Sequence, residues 1–237
     1  MQYADTVPVD GNSNVRYFSF NINALELAEN ITATLHYGEN ETVADQYSAM
    51  TYIQAVQADT SAAADLKNLV NALQAYGYYM QQSGWTDDKA SHTAIPAPAN
   101  GLTPEQVTAA QTAVSGMNKT VTGTGLADTK VSLTLNAKTM INIYVKPQDG
   151  VTVQSTGCTT ETIGGETYYK FTTDKIGPKN LGTPYSVTVE TGSGTATVSA
   201  SAMSYVNAAF SSNTLSEAQQ KALAAYYYYY YYANRYN

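Results

Sequence analysis

Ser48-Ala49-Met50-Thr51-Tyr52, followed by Ala72-Leu73-Gln74-Ala75-Tyr76-Gly77-Tyr78-Tyr79, reappears as Ser201-Ala202-Met203-Ser204-Tyr205, followed by Ala222-Leu223-Ala224-Ala225-Tyr226-Tyr227-Tyr228-Tyr229. The first two segments lie 153 positions apart and the second two 150. One pattern repeated in the same order, three residues out of register, predicts a duplicated structural unit with a trimmed loop. Within each copy the period is helical. Met50, Ile53 and Val56 sit three apart behind Ser48, a helix-capping residue. After the break at Asp59-Thr60-Ser61, the residues Leu66, Leu69, Val70, Leu73, Tyr76 and Met80 form one apolar stripe. The second copy repeats the two-helix pattern over 201–211 and 214–236, where Thr214 with Glu217 and Ser216 with Gln219 have capping-box spacing.

Upstream of each helical pair the period becomes two. Val15 to Ile22 mixes aliphatic and aromatic residues, Ile31 to Tyr37 alternates, and a turn at Gly38-Glu39-Asn40 leads into Thr42 to Tyr47. Beyond Lys119 the strands accumulate: Val131 to Leu135, Met140 to Val145, Val151 to Gln154, Thr167 to Thr172, Tyr185 to Glu190 and Thr195 to Ser199. Thr122-Gly123-Thr124-Gly125 reads as a turn. The strands correspond too: Ile31 to Leu35 answers to Tyr185 to Val189, and Tyr17 to Phe20 to Tyr168 to Phe171. Between the copies, Gly84 to Asn100 reads as a linker with Pro96 and Pro98, and Thr103-Pro104-Glu105 starts a short helix to about Gly116. Strands followed by helices argue for an α+β fold and against βαβ alternation. The expected architecture is two related antiparallel β-sheet units, each followed by a helical hairpin packed on it. The first unit, 1–82, is shorter or truncated; 83–118 is a linker with a short helix; 119–237 is the second unit.

Composition narrows the function classes. Only 13% of the 237 residues are charged, while 43% are hydrophobic and much of the remainder is small and polar, which suits strands in an extracellular setting. The net charge of −7 and the absence of a Lys/Arg cluster argue against nucleic acid as a partner. Cys158 is the single cysteine, so no internal disulfide or multi-thiolate metal site forms. No apolar run of about 18 residues predicts membrane insertion. Met1 opens no leader-like segment, so an export signal is expected outside this chain.

The repeated residues resemble a module that recurs in very large secreted surface proteins of gut clostridial-type bacteria. Its signature is a Tyr-Ser-x-x-x-Tyr helix start and a second helix ending in Ala-Leu-x-x-Tyr plus aromatics. Tyr47-Ser48-Ala49-Met50-Thr51-Tyr52 fits the helix start fully, and Ala200 to Tyr205 fits with alanine in the leading place. The strands around Leu133-Thr134-Leu135 and Thr139 to Pro147 resemble the part upstream of the hairpin, and the likeness covers most of 15–82 and 119–236. The resemblance implies a secreted or cell-surface location, other repeats of a parent chain as neighbours, and adhesion, glycan capture or host-protein binding. It transfers no site residue.

Twenty-one residues are Tyr, seven of them consecutive, Tyr226 to Tyr232, a run of almost two helical turns. Continuing the stripe of Leu215, Ala218, Ala222 and Leu223 puts Tyr226, Tyr229, Tyr230 and Ala233 inward. Tyr227, Tyr228 and Tyr231 then point away, with Tyr232 at the edge. Three readings stand: all seven pack, the outer ones form a recognition stripe, or they contact a neighbouring repeat. Gly77, where the second copy has tyrosine, signals close approach of a strand or of the other helix. Trp85, the only tryptophan, reads as a hydrophobic cap on the hairpin or as a sugar-stacking platform.

Catalytic patterns are missing. His36 and His92 are isolated histidines with no ligand spacing and no nucleophile elbow, and Asp87-Asp88 lacks a loop of alternating oxygen ligands. No paired carboxylates stand on recognisable elements. Lys130, Lys138 and Lys170 are candidates for an intramolecular isopeptide bond with asparagine. The expectation is a protein without catalytic residues, metal or cofactor. It binds a host protein through Tyr227, Tyr228, Tyr231, Tyr232 and Trp85, with immunoglobulin one possible target. A carbohydrate-binding module and a structural spacer are the alternatives.

Overall fold

The computed structural model describes residues 7–9, 12–17, 21–37, 40–87, 89, 91–135, 139–154, 157–192 and 194–236, with side chains outside 7–17 and 35–45. Among the described residues antiparallel sheets combine with five α-helices. Strands β1 (Val7–Val9) and β2 (Asn12–Tyr17) form one hairpin, and β3 (Ile31–Tyr37) and β4 (Asn40–Tyr47) another. Helices α1 (Ala49–Ala58), α2 (Ala64–Gln82) and α3 (Pro104–Val114) follow. The second half opens with β5 (Thr120–Gly123), β6 (Leu126–Leu135), β7 (Thr139–Pro147), β8 (Thr159–Ile163) and β9 (Glu166–Thr172). It closes with β10 (Tyr185–Thr191), β11 (Gly194–Ala200), α4 (Ala202–Ser211) and α5 (Glu217–Ala233).

Alternation explains the last two strands of the second half. In β10 the buried residues are Val187, Val189 and Thr191, and in β11 Ala196, Val198 and Ala200, each every second position. These residues line one face of the sheet β10-β11-β5. That face packs on Ile141, Ile143, Val145 and Phe171 from the sheet β6-β7-β9-β8. The result is a sandwich. The opposite face of β10-β11 carries hydroxyl pairs, Ser186 with Ser199 at 2.6 Å and Thr188 with Thr197 at 2.9 Å. Thr122-Gly123 is the end of β5 and not a free turn, and the run from Val151 to Gln154 contributes only an isolated bridge from Gln154 to Glu190. The expected strand from Val15 to Ile22 is described only as far as Tyr17, and Asn21 to Asn23 lie outside any strand.

The two helical pairs are built alike. Ser48 Oγ accepts from Thr51 N at 3.1 Å and Ser201 Oγ from Ser204 N at 3.0 Å, so both first helices start at their serine caps. Ahead of each lies a single 3-10 turn, Ala24–Glu26 or Pro178–Asn180, followed by a buried leucine, Leu27 or Leu181. Met50 N donates to Leu27 O at 2.8 Å, and Met203 N to Leu181 O at 3.1 Å. Ala64 follows Ala49 by 15 residues and Glu217 follows Ala202 by 15. The loops 59–63 and 212–216 are therefore equally long, and no loop is trimmed. The three-residue slip between the tyrosine motifs is a local likeness of composition.

Helices α2 and α5 make the most extensive interhelical packing. Their shared cluster holds Tyr76, Tyr79 and Met80 of α2 with Met203 and Val206 of α4 and Ala225 and Tyr226 of α5. Leu133 and Leu135 of β6 pack against it, which seats the helices at one end of the sandwich. Among the described residues, α1 and α2 bury Met50, Ile53, Val56 and Val70 against Leu27 and the linker's Ile95. Gly77 admits neither a strand nor the other helix. A Cβ there would lie 2.5 Å from Ala24 O and 2.6 Å from Leu27 Cδ1, so the close approach is that of the 3-10 turn. In the second half the bulk is reversed, with Gly182 beside the turn making room for Tyr230.

Candidate functional site

The tyrosine run occupies the last two turns of α5, whose start is fixed by a capping box of Ser216 and Gln219. Tyr226 is 2% exposed and its Oη lies 3.0 Å from Thr139 Oγ1. Burial pushes its phenol well above the ordinary tyrosine range. Its ring lies 5.0 Å from that of Tyr76, and Tyr76 stacks on Tyr229 at 5.9 Å with 14° between planes. Tyr229 and Tyr230 pack against the same cluster.

Tyr227, Tyr228, Tyr231 and Tyr232 form a second group, all half-buried. Side chains four residues apart on a helix stand one above the other. Tyr227 accordingly meets Tyr231 at 6.0 Å and Tyr228 stacks on Tyr232 at 6.2 Å. Edge contacts of 5.3 Å (Tyr227–Tyr228) and 5.1 Å (Tyr231–Tyr232) tie the two columns together. The Arg235 guanidinium sits 4.4 Å above the Tyr231 ring and closes the helix end of the ridge. At the other end, α3 lies on the ridge. Val107 and Ala110 pack with Ala224, Tyr227 and Tyr228, and Tyr228 Oη donates to Gln106 O at 3.0 Å. Desolvation there, with the neighbouring phenols, raises the pKa of both Tyr227 and Tyr228. The helical wheel of α5 put these two residues outward. Their cover comes from a helix in the expected linker, whose own Val107–Ala110–Val114 stripe shows that it needs a partner without saying which.

Trp85 stands apart from the ridge. It is half-buried against the main cluster and lines a cavity of about 300 Å³ with Leu133, Leu135, Tyr205, Leu215 and Leu223. Among the described residues the most exposed tyrosines are others, Tyr47 at 45% and Tyr52 at 47%, both in the Tyr-Ser-x-x-x-Tyr segment.

His92 is not isolated. Its Nε2 lies 2.8 Å from Asp87 Oδ1, and its buried Nδ1, without a hydrogen-bond partner, faces Glu29 Oε1 at 3.8 Å. Asp87 Oδ2 accepts from Asn23 Nδ2 at 2.7 Å, Glu29 accepts from Thr93 N at 2.8 Å, and Lys89 pairs with Glu26. This cluster straps the linker to the turn before β3. No sequence motif marks it, because its members are 64 positions apart. The His36 side chain, Asp88 and Lys138 lie outside the described residues. Lys130 pairs with Asp128 at 2.9 Å and Lys170 with Glu161 at 2.9 Å, and among the described residues neither ammonium is hydrogen-bonded to an asparagine. Cys158 is a free, half-buried thiol.

Among the described residues no three His, Cys, Asp or Glu side chains are placed to hold a metal ion. No helix there is long and apolar enough to cross a membrane. No family model, curated protein or solved structure matches this chain.

Proposed function

We propose that the chain is a non-catalytic binding module of a secreted bacterial cell-surface protein, made of two related units, 1–82 and 119–237, joined by 83–118. Its partner is a host protein, immunoglobulins among the candidates, and its anchor is the tyrosine ridge of α5. Paired serine caps, paired 3-10 turns and equal hairpin lengths support the duplication. The observation that carries the binding role is the double column of Tyr227–Tyr231 and Tyr228–Tyr232 under Arg235. Rings that already hold one another lose little rotamer freedom on binding, and Tyr and Arg are the side chains that anchor protein interfaces. The columns keep part of each ring accessible while fixing its orientation.

The test is a binding screen against host proteins, immunoglobulins included, followed by Tyr231→Ala and Tyr232→Ala. Each is expected to weaken the captured partner by upwards of ~2 kcal/mol, with a Tm close to that of the parent. A partner that binds both variants as tightly as the parent would remove the ridge from recognition.

A further inference from the structure

A second feature lies on another side of α5. Where the two 3-10 turns face each other, a cleft of about 420 Å³ opens between the halves. Its floor is apolar, with Leu27, Leu73, Leu181 and Ile176, and the rings of Tyr76, Tyr226 and Tyr229 form one wall. The size is that of a small-ligand site.

Three polar groups on it have no hydrogen-bond or ion-pair partner among the described residues. Tyr76 is 6% exposed, yet its hydroxyl makes no hydrogen bond to any described residue. Among the described residues the sealed side-chain polar atom without a partner is His92 Nδ1, whereas Tyr76 lines the cleft. By contrast the neighbouring Tyr226 hydroxyl is taken by Thr139. At the rim, Lys175 is exposed and forms no ion pair among the described residues, the adjacent exposed Asp174 included, and the Asn21 side chain is exposed beside it.

A wholly apolar ligand would seal the Tyr76 hydroxyl without a partner, and a fully polar one would leave the leucine floor uncovered. A sugar ring has one apolar face and a perimeter of hydroxyls, which matches a stacked tyrosine wall with hydrogen-bonding groups around it. The lone ammonium adds a preference for one negative charge. We propose that this cleft binds a small acidic sugar, its ring against Tyr229, its hydroxyls on Tyr76 Oη and Asn21, and its carboxylate on Lys175. Because the stack of Tyr76 on Tyr229 and the two turns are already in place, the site needs no rearrangement to form.

The experiment is an amide NMR titration of the full chain with glucuronate, N-acetylneuraminate, glucose and benzoate. At least one of the two acidic sugars is expected to shift the amides of Asn21, Ile176 and Gly177 saturably. Glucose and benzoate are expected to bind at least about tenfold more weakly, as one lacks the charge and the other the hydroxyls. Lys175→Gln and Tyr76→Phe should each raise Kd for the acidic sugar about tenfold or more. The proposal is overturned if neither acidic sugar moves these amides, if glucose or benzoate binds as well, or if the variants leave Kd unchanged. Should Tyr76→Phe fail to fold, Lys175→Gln, a change at an exposed side chain, decides the matter alone.

Discussion

Two residues show how much one atom decides. Alanine at position 77 would gain roughly 1 kcal/mol of helix propensity over glycine. Its Cβ, however, would press on the Ala24 carbonyl at 2.5 Å, and that oxygen belongs to a hydrogen-bonded turn with little freedom to retreat. Overpacking of this kind costs about 1–3 kcal/mol, so Gly77→Ala is expected to lower stability in urea unfolding despite the better helix former. An unchanged or raised midpoint would mean that the turn backs away. Asp128 is the second case. Hydrogen bonds from Lys130 Nζ at 2.9 Å and from Tyr168 Oη at 2.6 Å hold its carboxyl down at about 2. Carboxyl NMR should find its titration near that value, and Tyr168→Phe should move it upward toward the ordinary aspartate range. The same midpoint in parent and variant would place the cause elsewhere.

At the scale of elements, the helix starts are legible because their signals are local. Ser48, Thr103, Ser201 and Ser216 each cap a helix within four residues of chain, and each does so through its side-chain oxygen. The alternating strands β10 and β11 are legible for the same reason, whereas β7, which alternates in sequence, is buried at every position from Ile141 to Val145. What the sequence does not carry is the company an element keeps. Nothing in 104–114 names α5 as the partner of α3, and nothing near His92 names Glu29. That strap makes a prediction of its own. The Thr93 amide, with further help from its hydroxyl, holds Glu29 below its ordinary range against a smaller cost of burial. Burial works to raise Asp87, but the Lys89 amide, His92 and Asn23 together lower it. Folded values below the unfolded ones mean stability that is present above about pH 4 and lost as pH falls through the folded values. Parent protein is therefore expected to melt above an Asp87→Asn, Glu29→Gln variant at pH 6, with the gap in Tm closing below about pH 4. A gap that stays constant from pH 6 to pH 2.5 would show that the strap contributes nothing through ionisation.

For the molecule as a whole, the buried cluster built from α2, α4 and α5 draws on both halves of the chain. Tyr76 belongs to the first half and Tyr226 to the second, and each completes the cover of the other. Cutting the chain between them would expose both rings and the leucine floor beneath. The consequence is thermodynamic cooperativity across a chain that reads as two. Calorimetry should give a single transition whose van't Hoff enthalpy equals the calorimetric one, and two resolved peaks would contradict it. By the same reasoning a fragment ending at residue 118 is expected to be far less helical in α2 than the whole chain, since it keeps the cover of α1, Leu27 and Ile95 but loses that of α4 and α5 over Tyr76, Tyr79 and Met80. Two helical pairs built alike are thus expected to unfold as one.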